Sequence, residues 1–95
     1  MNIRTGEYMN YTVEVCGPAK EFFDTTQITL KANQKINSIT LKELLLQNLK
    51  SLELLEEADS LFNSSVIATE EQFFEASEIL PENQKLFIIP PVCGG

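Results

Sequence analysis

The sequence predicts a single small α+β domain in which a mixed β-sheet packs against one main helix. Four segments have the patterns of strands, one well-marked segment has the signals of a helix, and the two kinds of element are interleaved. A chain of 95 residues suffices for one domain, and its composition of 43% apolar and 22% charged residues can supply a hydrophobic core.

The first two predicted strands are marked by alternating apolar and polar side chains. Residues 11–16 place Tyr11, Val13 and Val15 on one face, and residues 27–31 alternate in the same way. Gly17 and Pro18 end the first strand. Between the strands, three apolar residues at helical spacing predict a small buried plug: Ala19, Phe22 and Phe23.

The main helix is predicted after these strands. Thr40 and Glu43 have the spacing of a capping box with Thr40 at the N-cap, and the flanking Ile39 and Leu44 have that of a hydrophobic staple. Apolar residues then recur along one helical face: Leu41, Leu44, Leu45 and Leu49. We expect the helix to be interrupted near Ser51.

Residues 61–67 are predicted to form a third strand. Thr69 and the acidic residues after it resemble a second capping box, which predicts a helical stretch over residues 69–80 with Phe73 and Phe74 buried. The order of elements is therefore strand, strand, helix, strand, short helical stretch, strand.

The last predicted strand covers residues 85–89. Residues 81–84 are turn-like, and the uninterrupted apolar run from Leu86 to Ile89 is typical of an inner strand covered on both faces. Pro90 and Pro91 end it, because proline has no amide hydrogen to donate. We therefore divide the chain into a loose extension (1–8), a domain (9–89) and an extended tail (90–95).

The composition excludes several classes of function. The chain has no histidine, and Cys16 and Cys93 have no metal-site spacing, so we expect no bound metal and no activity as an enzyme on its own. Residues 1–10 lack an apolar segment, and no stretch approaches a membrane span, so we expect a cytoplasmic protein with reduced thiols.

The charge is unevenly distributed along the chain. Residues 1–50 hold six basic and five acidic residues, whereas residues 51–95 hold one basic and nine acidic residues. An acidic protein of net charge −7 is not expected to bind nucleic acid or an anionic membrane. The acidic half is either a solubilising face or a docking surface for basic partners.

The tail is the most informative segment. The chain ends Pro90-Pro91-Val92-Cys93-Gly94-Gly95, in which two prolines favour an extended backbone that reaches about 20 Å. The two glycines have no side chains to obstruct a narrow channel, so such a tail presents its own α-carboxylate. An ATP-dependent enzyme could convert that carboxylate to an acyl-adenylate, and then either sulfur or a lysine amine could displace AMP.

The order of elements and the ending Pro-Pro-Val-Cys-Gly-Gly resemble the ubiquitin-like β-grasp sulfur carriers, and most closely the small subunits of molybdopterin synthase. The segment 61–64, which contains Asn63, looks like the strand with an asparagine that precedes the family's last strand. The resemblance covers roughly residues 9–95, and its last eleven residues are diagnostic. The chain departs from the family at residues 82–84, where Glu-Asn-Gln replaces a Gly-Asp-Glu turn and the glycine conformation is expected to be absent.

This resemblance implies a function and a set of partners. Gly95 would be adenylated and converted to a thiocarboxylate that donates sulfur to a cyclic pterin precursor in molybdenum cofactor biosynthesis, with Gly94 allowing access to a channel. The chain would bind no cofactor itself, while its activating enzyme would use ATP and Mg. Partner contacts would involve Pro90, Pro91, Val92, Cys93 and Phe87.

The implied partners are the large catalytic subunit of molybdopterin synthase, an adenylating enzyme, and a sulfur donor such as a cysteine desulfurase or rhodanese. Three alternatives stay open: a sulfur carrier for thiamine or another metabolite, a modifier conjugated to lysines, and an interaction module with an acidic surface. The Pro-Pro pair favours molybdopterin over thiamine, because the tail of the thiamine carrier usually lacks it. Cys93 is either an exposed small residue at a variable position or a reactive thiol.

Overall fold

A computed structural model of the chain describes residues 8–91. Within that range the protein is a small α+β domain with a mixed sheet, as the sequence predicts, and the sheet has five strands rather than the four predicted. The strands are β1 (Met9–Val15), β2 (Gln27–Ala32), β3 (Val66–Ala68), β4 (Phe73–Phe74) and β5 (Lys85–Ile89). The α-helices are α1 (Ser38–Leu46) and α2 (Leu55–Asn63), and 3₁₀ helices span Gly17–Phe22 and Leu52–Leu54.

The strands lie in the order β2-β1-β5-β3-β4. β1 is antiparallel to β2 and parallel to β5, with Val13 opposite Leu86, and β3 is antiparallel to both β5 and β4. The last strand is therefore central, with hydrogen-bonded neighbours on both sides. Because β1 and β5 are parallel, their carboxyl ends lie at the same end of the sheet.

The core lies on one face of this sheet. Alternate strand residues point into it, and both α-helices cover it, so the prediction of one main helix is wrong. The helices contribute Leu41 and Leu45 from α1 and Ala58 and Phe62 from α2. The strands contribute Tyr11, Val13, Val15, Ile28, Leu30, Ile67, Leu86 and Ile88, and the predicted plug of Ala19, Phe22 and Phe23 is buried beside them.

The first helix begins earlier than the capping box predicts. Asn37 is the N-cap, and its side-chain oxygen accepts a hydrogen bond of 3.0 Å from the amide of Thr40, which lies inside the helix. Ile39 is therefore exposed in the first turn rather than stapled to Leu44. The Asn37 side chain satisfies the amide of Thr40, whereas a cap at Thr40 would have satisfied the amide of Glu43 three residues later.

The predicted interruption near Ser51 is confirmed. The helix α1 ends at Leu46, and the Ser51 hydroxyl accepts a hydrogen bond of 3.2 Å from the amide of Glu53, at the start of the second 3₁₀ helix. This short helix leads directly into α2.

The predicted strand over residues 61–67 is wrong for most of its length. Its first three residues belong to α2, because Ala58 and Phe62 are buried four residues apart on one helical face. Only Val66 and Ile67 of that segment are in β3, and Asn63, expected on a strand, is the last residue of the helix.

The predicted helical stretch over residues 69–80 is also wrong. The Thr69 hydroxyl accepts a hydrogen bond of 3.2 Å from the amide of Glu71 in a tight turn, and β4 follows instead of a helix. Phe73 is 68% exposed, which contradicts its predicted burial, and Phe74 is half-buried. Residues 75–80 then run back toward the start of α1. The amide of Leu80 donates a hydrogen bond of 2.9 Å to the carbonyl of Ile36, two residues before that helix.

The strand β5 is confirmed, but it is not covered equally on both faces. Leu86 and Ile88 are fully buried, whereas Phe87 and Ile89 are half-buried. The turn before it does contain a left-handed residue, contrary to expectation, because Asn83 has φ 65°. Asparagine tolerates this conformation better than other residues that have a side chain.

Candidate functional site

The tail leaves the body of the protein between Pro90 and Pro91. Pro90 is buried and Pro91 is exposed. Of the predicted tail residues, Val92, Cys93, Gly94 and Gly95 lie outside the described range. The site can therefore be built from the root of the tail and from the surfaces around it.

Parallel pairing of β1 and β5 fixes the position of this root. Val15 lies opposite Ile88, so the turn after β1 lies next to the end of β5. Gly17 in that turn has φ 57°, and a Cβ atom built on it would lie 3.9 Å from the Cγ atom of Pro90. That distance is an ordinary van der Waals contact, so the turn needs glycine for its backbone conformation and not for space.

A groove opens beside the root of the tail. Its volume is about 630 Å³, and its lining includes Pro18, Phe22, Leu61 and Pro91 together with Glu56 and Glu57. We call it the tail-root groove. Its apolar floor comes from the first 3₁₀ helix and from α2, and its acidic wall comes from α2. Such a groove can hold an apolar or basic side chain of a protein that binds the tail.

Phe62 holds the two elements of this groove together. Its ring lies edge-on to that of Phe22, with centroids 6.1 Å apart and planes at 86°. It is also parallel to the ring of Phe23, with centroids 6.1 Å apart. This buried aromatic cluster positions α2 against the first 3₁₀ helix.

The second candidate surface is the face of the sheet opposite the core. Within residues 8–91 neither α-helix packs on this face. Phe87 lies on it with Glu14 of β1 on one side and Ala68 of β3 on the other, and Phe73 of β4 is the next residue across. We call this the uncovered sheet face, and its apolar residues are Val66, Phe73, Phe87 and Ile89.

The apolar residues are flanked by one ion pair. The Lys85 amine lies 3.3 Å from a Glu14 carboxylate oxygen, and both side chains are partly exposed. Exposed pairs of this kind contribute between about 0 and 1 kcal/mol, so this pair contributes little to the stability of the sheet. Its effect is to keep charge at the β1 side of the patch, away from Val66 and Phe73.

Cys16 is close to the root of the tail but is poorly suited to nucleophilic chemistry. It is a half-buried free thiol directly after β1. Burial raises the pKa of this thiol above its usual range, the Glu14 carboxylate raises it further, and Lys20 lowers it in part. The thiol is therefore mostly protonated at neutral pH, and the thiolate is the reactive form.

The sequence predicts partner contacts at Pro90, Pro91 and Phe87, and these contacts stay a prediction. It does not point to Glu56, Glu57 or Phe73 as surface residues of a site, because the acidic pair is only part of an acidic half and Phe73 is predicted to be buried. Ala58 and Phe62 are four residues apart, which is the spacing of one buried helical face. This pattern indicates that Glu56 and Glu57 lie on the exposed surface of the same helix.

Comparison with known proteins gives no family assignment. No protein-family model matches this chain, and no curated protein matches it in sequence. Across residues 8–91, no helix has both the length and the apolar composition needed to cross a membrane. In the same range, His, Cys, Asp and Glu side chains form no group of three or more that is suited to hold a metal ion.

Proposed function

We propose that this protein is a sulfur carrier whose C-terminal glycine, Gly95, is activated and converted to a thiocarboxylate. The proposal rests on one observation. The sequence Pro-Pro-Val-Cys-Gly-Gly continues directly from the central strand of the sheet, and its first exposed residue is Pro91. By analogy with the small subunits of molybdopterin synthase, the sulfur is donated to a cyclic pterin precursor of the molybdenum cofactor in the cytoplasm.

The proposed fold is a β-grasp. A five-stranded mixed sheet with helices on one face is compatible with that fold, and so is the parallel pairing of its first and last strands.

The chemistry requires no catalytic side chain from this protein. The Gly95 carboxylate attacks the α-phosphorus of ATP on an activating enzyme that uses Mg, and pyrophosphate leaves. The terminal sulfur of a donor persulfide then attacks the acyl carbon, and AMP leaves. A thiol of the donor system cleaves the resulting acyl disulfide, which releases the thiocarboxylate and leaves a disulfide on the donor. This division of labour is consistent with a chain that has no histidine.

The uncovered sheet face and the tail have complementary roles in this proposal. The uncovered sheet face, with Phe87 and Phe73, docks the large catalytic subunit, which also contacts Val92 and Cys93. Apolar side chains exposed on a sheet are typical of such interaction sites. Gly94 and Gly95 then enter the active site of the partner, where the absence of side chains allows a narrow channel.

The experiment is an intact-mass measurement after coexpression with an adenylating enzyme and a cysteine desulfurase or rhodanese. We expect a product in which one oxygen is replaced by sulfur, with fragmentation placing the change on Gly95. Methionine or cysteine oxidation adds almost the same mass, so the location of the change is essential. A variant lacking Gly94 and Gly95 is the matched control and should show no change.

The same preparations separate the alternatives. Adducts that survive reducing denaturation, with an isopeptide bond between Gly95 and a lysine, would identify a conjugated modifier instead. An unmodified terminus in the presence of competent partner enzymes would exclude both functions of the tail. The Cys93→Ser variant should still become thiocarboxylated if this residue only occupies a variable position, and loss of the product would assign its thiol a chemical role.

A further inference from the structure

A second groove lies on the helical side of the domain, away from the uncovered sheet face. Its volume is about 530 Å³, and it is formed by the end of α1, the second 3₁₀ helix and α2. Three leucines and three acidic residues line it: Leu46, Leu52, Leu55, Glu53, Glu56 and Asp59. We call it the leucine–acid groove.

Two of these leucines are unusually exposed for their size. Leu52 is 82% exposed and Leu55 is 44% exposed, although both belong to helical elements. The buried face of α2 is formed by Ala58 and Phe62, and the Ser51 cap fixes the turn that directs Leu52 outward. The local fold therefore holds the two leucines beside each other on the surface rather than in the core.

The charge around the leucines identifies the kind of partner that fits. Glu53, Glu56 and Asp59 form the polar part of the groove, and the sequence has no lysine or arginine between Lys50 and Lys85. A second copy of this chain would bring the same acidic residues into contact, and like charges oppose that arrangement. A segment with apolar side chains flanked by lysine or arginine can pack against the leucines and form ion pairs with the acidic residues.

We propose that the leucine–acid groove binds a basic amphipathic helix of a partner protein. Apolar side chains at helical spacing would cover Leu52 and Leu55, and neighbouring basic side chains would pair with the acidic rim. The surface is small, so the complex is expected to be transient. The leucine–acid groove shares Glu56 with the tail-root groove, but the proposal does not depend on the chemistry of Gly95, because it rests on the exposed leucines and their acidic rim.

The test uses the full chain and a synthetic helical peptide in which leucines recur at helical spacing and every polar position is lysine. Amide chemical shifts, measured by NMR during titration, should change most around Leu52, Leu55 and Asp59. Binding should weaken as the salt concentration rises. A peptide with glutamate in place of lysine should not bind.

Paired variants make the result specific to this groove. Leu52→Ser should weaken binding by at least about tenfold, because the peptide no longer buries a leucine. Phe73→Ser removes a comparably exposed side chain from the uncovered sheet face and should leave the affinity unchanged. Circular dichroism of each variant checks that the fold is retained.

A second pair of variants tests the charges. The triple change Glu53→Gln, Glu56→Gln and Asp59→Asn should abolish most of the dependence of peptide affinity on salt concentration. Neutralising three acids elsewhere, Glu70, Glu71 and Glu78, should reduce that dependence much less. Equal effects of the two triple variants, or shifts centred on the sheet face, would overturn the proposal in favour of non-specific attraction. A dimer in sedimentation analysis that Leu52→Ser dissociates would also overturn it, because the occupant would then be a second copy.

Discussion

Replacing Phe62 with alanine should destabilise the domain more than any surface substitution. Phe62 is 1% exposed and packs against the rings of Phe22 and Phe23. A buried Phe→Ala change costs about 3–5 kcal/mol, and each lost aromatic pair accounts for about 0.5–1.5 kcal/mol beyond buried area. We expect a loss of about 4 kcal/mol from a total stability of roughly 5–14 kcal/mol for a chain of this length.

Urea denaturation followed by far-ultraviolet circular dichroism measures this loss, since the chain has no tryptophan. The matched control is Phe73→Ala, the same substitution at a residue that is 68% exposed, which should change stability by less than about 1 kcal/mol. Phe62→Leu should recover most of the stability because it retains apolar volume. Similar losses for the two alanine variants would refute the assignment of Phe62 to a buried face of α2.

Three further predictions concern local structure. Asn37→Ala should lower the free energy of unfolding, measured by urea denaturation, by about 1 kcal/mol, because it removes the cap of α1. Thr40→Ala should change it by less than about 0.5 kcal/mol, and equal losses would indicate that Thr40 is the cap. Because Asn83 has a positive φ, Asn83→Ala should lower the free energy of unfolding by about 1 kcal/mol, while Asn83→Gly should leave it almost unchanged. An alanine variant as stable as the original protein would contradict the left-handed conformation of this turn. In the Cys93→Ser variant, alkylation of Cys16 at pH 8 should be slower in the folded protein than in urea, because the raised pKa of the thiol reduces its thiolate fraction. Equal alkylation rates would contradict the burial of Cys16 that raises this pKa.

Two of the strands that the sequence predicts correctly have a clear two-residue period. β1 and β2 each bury one face against the helices, and their sequence patterns match that burial. The third, β5, is predicted from an uninterrupted apolar run instead. A local alternation of this kind needs no knowledge of the neighbouring strands. It does not reveal which strands pair, and the central position of β5 therefore came only from the structure.

The two wrong capping-box predictions share a physical cause. Thr40 and Thr69 each begin a sequence that fits a capping box, but a threonine hydroxyl can accept an amide in a helix cap or in a tight turn. At Thr69 the turn is formed, and at Thr40 the earlier Asn37 supplies the cap. The choice depends on tertiary contacts, such as the attachment of residues 75–80 to α1, which no local pattern records.

The candidate surfaces also differ in how far they could be predicted from local sequence. The tail is a local feature, so its chemistry could be inferred from six consecutive residues. The tail-root groove combines Pro18, Phe22, Glu57 and Pro91, which are brought together by the packing of Phe62 and by the pairing of β1 with β5. The uncovered sheet face likewise depends on strand order, which aligns Phe87 with Phe73 across two strand boundaries.

The central position of β5 bears on the proposed function, in which other proteins bind the tail. A partner that binds residues beyond Pro91 would transmit any force to β5. This strand is hydrogen-bonded to β1 on one side and to β3 on the other. An edge strand has a ladder on one side only and is more easily peeled from its sheet. Buried Leu86 and Ile88 further resist extraction of the strand. In the proposed function, a partner could therefore bind the tail while the rest of the domain remains folded.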